Sequence, residues 1–100
     1  MGGKSVLFNF YHLWMFAVIS PALKSKLTWQ CRRGMLELDL ILNRFAAEHL
    51  SNLNDQQLSA FEKLLAYSDP DINHWLMGQG IPSEQELVDI VAFIRLQYHI

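Results

Sequence analysis

Apolar residues recur along most of this chain at spacings of three and four, separated by polar stretches that carry helix-ending signals, the pattern of short amphipathic helices. Ser20-Pro21 reads as an N-cap followed by proline at the first helical position. A first helix is predicted from about Pro21 to Arg32, with Leu23, Leu27 and Cys31 spaced i, i+4, i+8 on one face. Gly34 is expected to end it in the left-handed conformation common just past a helix, leaving Arg32 and Arg33 at the negative end of the dipole. A second helix is predicted from about Met35 to Leu50. Its core stripe is Leu38, Ile41, Leu42, Phe45 and His49, and Glu37 and Asp39 lie in its first turns. Asn54-Asp55-Gln56-Gln57 is a capping box for a third helix with the stripe Leu58, Phe61, Leu64, Leu65. Asp69-Pro70 is read as capping a short fourth helix that holds Ile72, Trp75 and Leu76, stopped by Gly78 and Gly80. Ser83-Glu84-Gln85-Glu86 is read as a second capping box. It would open a last helix with the stripe Leu87, Ile90, Val91, Ile94, Tyr98.

No alternating Val/Ile/Thr run bounded by tight-turn residues is present, so the fold class is all-α: a compact single-domain bundle of about five short helices. One hundred residues suffice for one core and not two. Residues 1–20 do not fit the bundle. Val6 to Ile19 is an apolar, aromatic run broken by Asn9 and His12, shorter than the roughly 20 residues a spanning helix needs. Lys4 ahead of it gives a likeness to a signal peptide, but the small-x-small cleavage pattern around Ser20-Pro21-Ala22 is poor. The stretch is read as an extension outside the core: a leader, an interfacial anchor, or sequence upstream of the true start. Residues 21–100 form the folded domain, and no stable membrane insertion is expected.

Charge sharpens this picture. The net charge is −2, with 51% hydrophobic and 18% charged residues, but the signs are segregated. Lys4, Lys24, Lys26, Arg32 and Arg33 all precede the first acid, Glu37, and from Gly34 onward ten acids face only Arg44, Lys63 and Arg95. An acidic body with a basic edge lacks the broad basic face that nucleic acid requires, and it suits a protein partner of mixed polarity.

Candidate chemistry is sparse. The four histidines, His12, His49, His74 and His99, share no spacing that puts two ligands on one helical face, so no metal site is expected. No phosphate loop or nucleophile elbow occurs, and no catalytic residue is assigned. Glu84, Glu86 and Asp89 read as a solvated acidic face. Trp29, Phe61, Trp75 and Phe93 could form an aromatic surface for a partner, but at helical spacing they read as core. The lone Cys31 excludes an internal disulfide. Beside two arginines it could be activated, though a small core residue is the commoner role.

What stands out is Cys31-Arg32-Arg33-Gly34-Met35-Leu36-Glu37-Leu38-Asp39, which concentrates charge at a helix-helix corner. Capping and dipole rules account for much of it, but they do not require two consecutive arginines. A guanidinium near a carboxylate at a rigid corner suits recognition of a polar partner surface.

This stretch resembles the signature of the SdhE-type succinate dehydrogenase assembly factors. The likeness continues through Trp29, Phe61-Glu62-Lys63-Leu64-Leu65, Asp69-Pro70-Asp71-Ile72, Trp75-Leu76 and the Ile90 to Arg95 region, covering roughly residues 21 to 98. The resemblance implies a cytoplasmic five-helix bundle that is not an enzyme and holds no tightly bound cofactor. It would bind the flavoprotein subunit of succinate dehydrogenase, and in some cases fumarate reductase, so that the client's own histidine attacks the FAD methyl group. The family's Arg-Gly-x-x-Glu element falls on Arg33, Gly34 and Glu37, with Arg32 and Asp39 beside it as further partner-binding candidates. On this reading, truncating Arg33 or Glu37 weakens client binding and leaves the fold intact. Gly34 permits close approach, which a β-carbon would block. The extension of residues 1–20 departs from the family, whose members begin near the first helix. The other function class weighed is a regulatory interaction module of antitoxin type.

Overall fold

The computed structural model describes residues 19–100, so His12 and nearly all of the apolar extension fall outside the described residues. Five α-helices follow in order, and no strand occurs among the described residues: α1 (Pro21–Gln30), α2 (Leu36–His49), α3 (Asp55–Leu65), α4 (Asp69–Leu76) and α5 (Gln85–Tyr98), with a 3-10 turn, Leu50–Asn52, after α2. The all-α bundle expected from the periodicity is what the chain forms.

Each helix buries the stripe its spacing predicts. Leu27 and Cys31 of the first element, Leu38, Leu42 and Phe45 of α2, Phe61 and Leu64 of α3, Ile72 and Leu76 of α4, and Ile94 of α5 have no exposed surface. Phe45 sits at the centre. Its ring lies 5.2 Å from Phe61, 6.0 Å edge-on from Phe93 and 5.2 Å stacked on His49, so one aromatic cluster joins α2, α3 and α5. His49 is thereby a half-buried packing residue. Ile19 also packs against this core, two residues ahead of Pro21.

Two of the expected helix starts form as read. Ser20 Oγ accepts from the Leu23 amide at 3.2 Å. At α3, Asn54 Oδ1 accepts from the Gln57 amide at 2.8 Å and Gln57 Oε1 from the Asn54 amide at 3.0 Å, a complete capping box. Proline stands in the first turn of α1 and of α4.

Two starts differ. The Ser83 box does not form: the N-cap of α5 is Glu84, without a side-chain bond, because Glu86 turns outward to Lys63 of α3 and forms an ion pair with it. Glu84 joins that pair at 3.6 Å, so two acids of the expected solvated face tie α5 to α3. At α4 the cap is Ser68, whose Oγ accepts from the Asp71 amide at 3.4 Å. Asp69 is therefore not needed as a cap, and its carboxylate points elsewhere.

Candidate functional site

The corner between α1 and α2 is tighter than the capping rules suggest. Helix α1 ends at Gln30, so Arg32 and Arg33 lie beyond its last turn rather than within it. Gly34 does not adopt the left-handed conformation; among the described glycines only Gly78 does, at φ 73°. The physical reason is that side chains from elsewhere close this turn. Asp39 Oδ1 accepts from the Arg33 amide at 2.7 Å, and Asp69 Oδ2 accepts from the Gly34 and Met35 amides at 3.0 and 3.3 Å. With three consecutive amides satisfied by two carboxylates, no left-handed cap is required. Asn43, one turn beyond Asp39, donates its amide to Cys31 O at 3.1 Å and to Asp39 O at 2.6 Å.

Arg33 is the hub of this arrangement. Its Nε donates to Asp69 Oδ1 at 2.7 Å, Nη1 to Gln30 O at 2.9 Å and Leu65 O at 3.1 Å, and Nη2 to Tyr67 O at 2.7 Å. The guanidinium thus ties the carbonyl end of α1, the carbonyl end of α3 and the first turn of α4 together. These are the groups that helix ends leave without partners, and the flat five-donor fork reaches several where a lysine would reach fewer. Its side chain is 12% exposed and that of Asp69 22%. The expectation that Arg33 could be truncated with the fold intact is therefore corrected: most of its donors hold the bundle together.

Electrostatics follow from this packing. Burial alone would raise the Asp69 carboxyl pKa. The hydrogen bonds from Arg33, Met35 and Gly34 and the guanidinium charge outweigh it and hold the pKa below the usual range. At Cys31 burial dominates. The thiol is pushed up to about 12 despite the charge of Arg33, with Asp39 adding to the rise. The cysteine is a closed core residue and not an activated nucleophile.

What remains on the outside differs from what lies within. Arg32, Gly34 and Glu37 are exposed, while Arg33 and Asp39 are largely covered. Glu37 has no ion-pair partner among the described residues. Arg32 lies over the Trp29 ring, 5.1 Å from its centroid. Trp29 is 68% exposed, which overturns its expected place in the core. It lies two positions from both Leu27 and Cys31, off the buried stripe, and its face is covered by Arg32 rather than by a helix. Leu36 and Leu40 are likewise 71% and 60% exposed. Leu36, Leu40 and Asn43 share one face of α2 at i, i+4, i+7, and Asn43 lines a shallow groove with Trp29 and Arg32. The corner thus presents an apolar platform flanked by a base and an acid that form no ion pair among the described residues.

Sequence reasoning missed Asp69, Asn43 and the platform. Signals were available for two of these. Leu36 and Leu40 fall off the stripe of Leu38, Ile41, Leu42 and Phe45. Ser68 and Asp69 are adjacent candidates for one cap, which leaves a carboxylate to spare. Among the described residues no three His, Cys, Asp or Glu side chains converge as a metal would need. None of the described helices is long and apolar enough to cross a membrane.

Comparison with known proteins matches residues 25–97 to the family described as flavinator of succinate dehydrogenase. A protein of Legionella pneumophila (strain Lens) named FAD assembly factor SdhE is 54% identical over 72 residues, 72% of this chain and 90% of the relative. Proteins of the same name are 42% identical in Pectobacterium atrosepticum, over 72% of this chain and 82% of the relative, and 39% identical in Coxiella burnetii, over 75% and 92%. The matched span holds the Arg33 hub, both carboxylates that close the corner and the outer face built on it, and this chain belongs to the flavinator of succinate dehydrogenase family, the SdhE-type assembly factors.

Proposed function

We propose that this protein binds the flavoprotein subunit of succinate dehydrogenase and promotes covalent attachment of FAD to it, acting in the cytoplasm as an assembly factor and not as the catalyst. The observation that carries the reading is the family match across residues 25–97 together with an exposed, mixed-polarity corner inside that span. The flavoprotein subunit of fumarate reductase is a second client of the same kind. The protein holds no tightly bound cofactor of its own; FAD and the residue that bonds to it belong to the client.

Arg32, Gly34 and Glu37 make the direct contacts, with Trp29, Leu36 and Leu40 as the desolvating platform beneath them. Such a surface fits the anatomy of protein interfaces, in which aromatic and aliphatic anchors are rimmed by charges. Arg33 and Asp39 act from behind it. At Gly34 the absence of a β-carbon matters outward: the glycine lets the partner's backbone approach the corner closely.

The test is covalent flavin on the succinate dehydrogenase flavoprotein, read as in-gel fluorescence in a strain lacking the gene. A marked loss, restored by the full chain and not by Glu37→Ala or Arg32→Ala, is expected. Undiminished fluorescence in the deletion strain would sink the reading. In co-purification with the tagged flavoprotein, truncating either charge is expected to cost about 1–3 kcal/mol of binding.

A further inference from the structure

We propose that Asp69, on α4 and outside the signature stretch, is a positioning residue for docking. By holding the Gly34 and Met35 amides on one oxygen and the Arg33 guanidinium on the other, its carboxylate sets the direction in which Gly34, Leu36 and Glu37 face the partner. The inference rests on the docking reading above and deepens it.

The geometry makes Asp69 unusual for a residue in the first turn of a helix. A carboxylate there ordinarily satisfies amides of its own helix. In this chain Ser68 does that, so Asp69 is free to reach back across 34 to 36 residues of sequence. Its Oδ1 takes Arg33 Nε at 2.7 Å and its Oδ2 takes the two amides that open the turn into α2. Asp39 takes the preceding amide from the other side. The backbone of residues 33–35 is therefore clamped between a carboxylate of α2 and a carboxylate of α4. A clamp of this kind is not needed to bury the amides, because Gly34 and Met35 are exposed and water could satisfy them. What water cannot do is fix one direction for the corner. Since Arg33 also holds the ends of α1 and α3, Asp69 couples the orientation of the outer face to three other helices. A contact surface held rigidly loses less freedom on binding, and its charges meet their partners without rearrangement.

The test compares Asp69→Ala with the wild-type full chain in two measurements. Amide hydrogen exchange at Gly34 and Met35 is expected to lose its protection, while core amides such as Leu64 and Ile94 keep theirs. Affinity for the purified succinate dehydrogenase flavoprotein is expected to fall about tenfold or more. While more than about 99% of the variant is folded, unfolding itself lowers apparent affinity by only about 1%, so a tenfold loss is not a stability effect. Asp69→Glu, which keeps the charge on a longer arm, is expected to recover part of both. Should Asp69→Ala not fold, the same measurements on Asp69→Asn decide: it keeps the size of the side chain but has one acceptor for donors on two sides. Unchanged protection at residues 34 and 35, or lost protection with affinity within about twofold of wild type, overturns the proposal. If Glu37→Ala and Arg32→Ala also bind as wild type, the docking reading has failed. If they weaken and the Asp69 variants do not, only the positioning role has.

Discussion

Arg33→Ala should destabilise this domain before it tells anything about binding. The substitution removes three hydrogen bonds to main-chain carbonyls, of Gln30, Leu65 and Tyr67, and one charged bond to Asp69. Net values of about 1 kcal/mol for each bond to a carbonyl and about 1.5–3 kcal/mol for the ion-paired one sum to about 4.5–6 kcal/mol. The side chains involved are 12% and 22% exposed, so water retakes some of these groups, and a loss of about 2–4 kcal/mol is the reasoned figure. For a domain of this size each kcal/mol moves Tm by about 4–8 °C, so a drop on the order of 10–25 °C is expected in thermal unfolding followed by circular dichroism. Glu37→Ala, on the outer face with no ion-pair partner among the described residues, should stay within about 0.5 kcal/mol of wild type. Arg33→Lys should fall between, because one ammonium cannot span three chain segments. In Arg33→Ala/Asp69→Ala the two losses should add up to less than their sum, since they share one bond. A Tm for Arg33→Ala within about 4 °C of wild type, or equal to that of Glu37→Ala, would refute the hub.

Other outcomes follow from the same geometry. Gly78→Ala should cost about 1–2 kcal/mol by denaturant unfolding, because φ is 73° there and a β-carbon would also come within 2.8 Å of Arg95 Nη2. Gly34→Ala, whose β-carbon would meet, among the described residues, only Asp69 Oδ2 at 3.7 Å, should change stability by less than about 1 kcal/mol and register instead in client binding. Cys31, with its thiol pushed up to about 12 by burial, should react with a thiol reagent at pH 8 only after urea opens the core; native-state labelling as fast as in urea would contradict this. The Asp69 carboxyl lies below its ordinary 3.8, so its ionised form stabilises the fold above that value and the contribution is lost as pH falls through the depressed folded-state pKa. The stability gap between wild type and Asp69→Asn should therefore hold from neutral pH down to about 4 and close below it. A gap that stays constant through pH 2 to 3 would count against the assignment.

The order of helices, the stripes they bury and the caps at Ser20 and Asn54 were all legible in the sequence. These features are local: periodicity of three and four and bonds across three residues do not depend on what lies across the core. The corner was legible as a place, through Arg33, Gly34 and Glu37, but not as a mechanism. Local rules put Gly34 in a left-handed cap and Arg33 in a helix end. The fold instead brings Asp69 across from α4 and takes the amides of Gly34 and Met35, and once a carboxylate does that, the glycine cap has no amide left to serve. Trp29 and the Ser83 box were misjudged for a related reason, because the facing element decides whether an aromatic is covered or an acid is drawn away, as Lys63 draws Glu86. Sequence alone, then, determined which segments become helices and which of their faces turn inward. Only the tertiary structure decided which charges of the signature stretch hold the molecule together and which are left free to meet a partner, because that depends on acceptors more than thirty residues away.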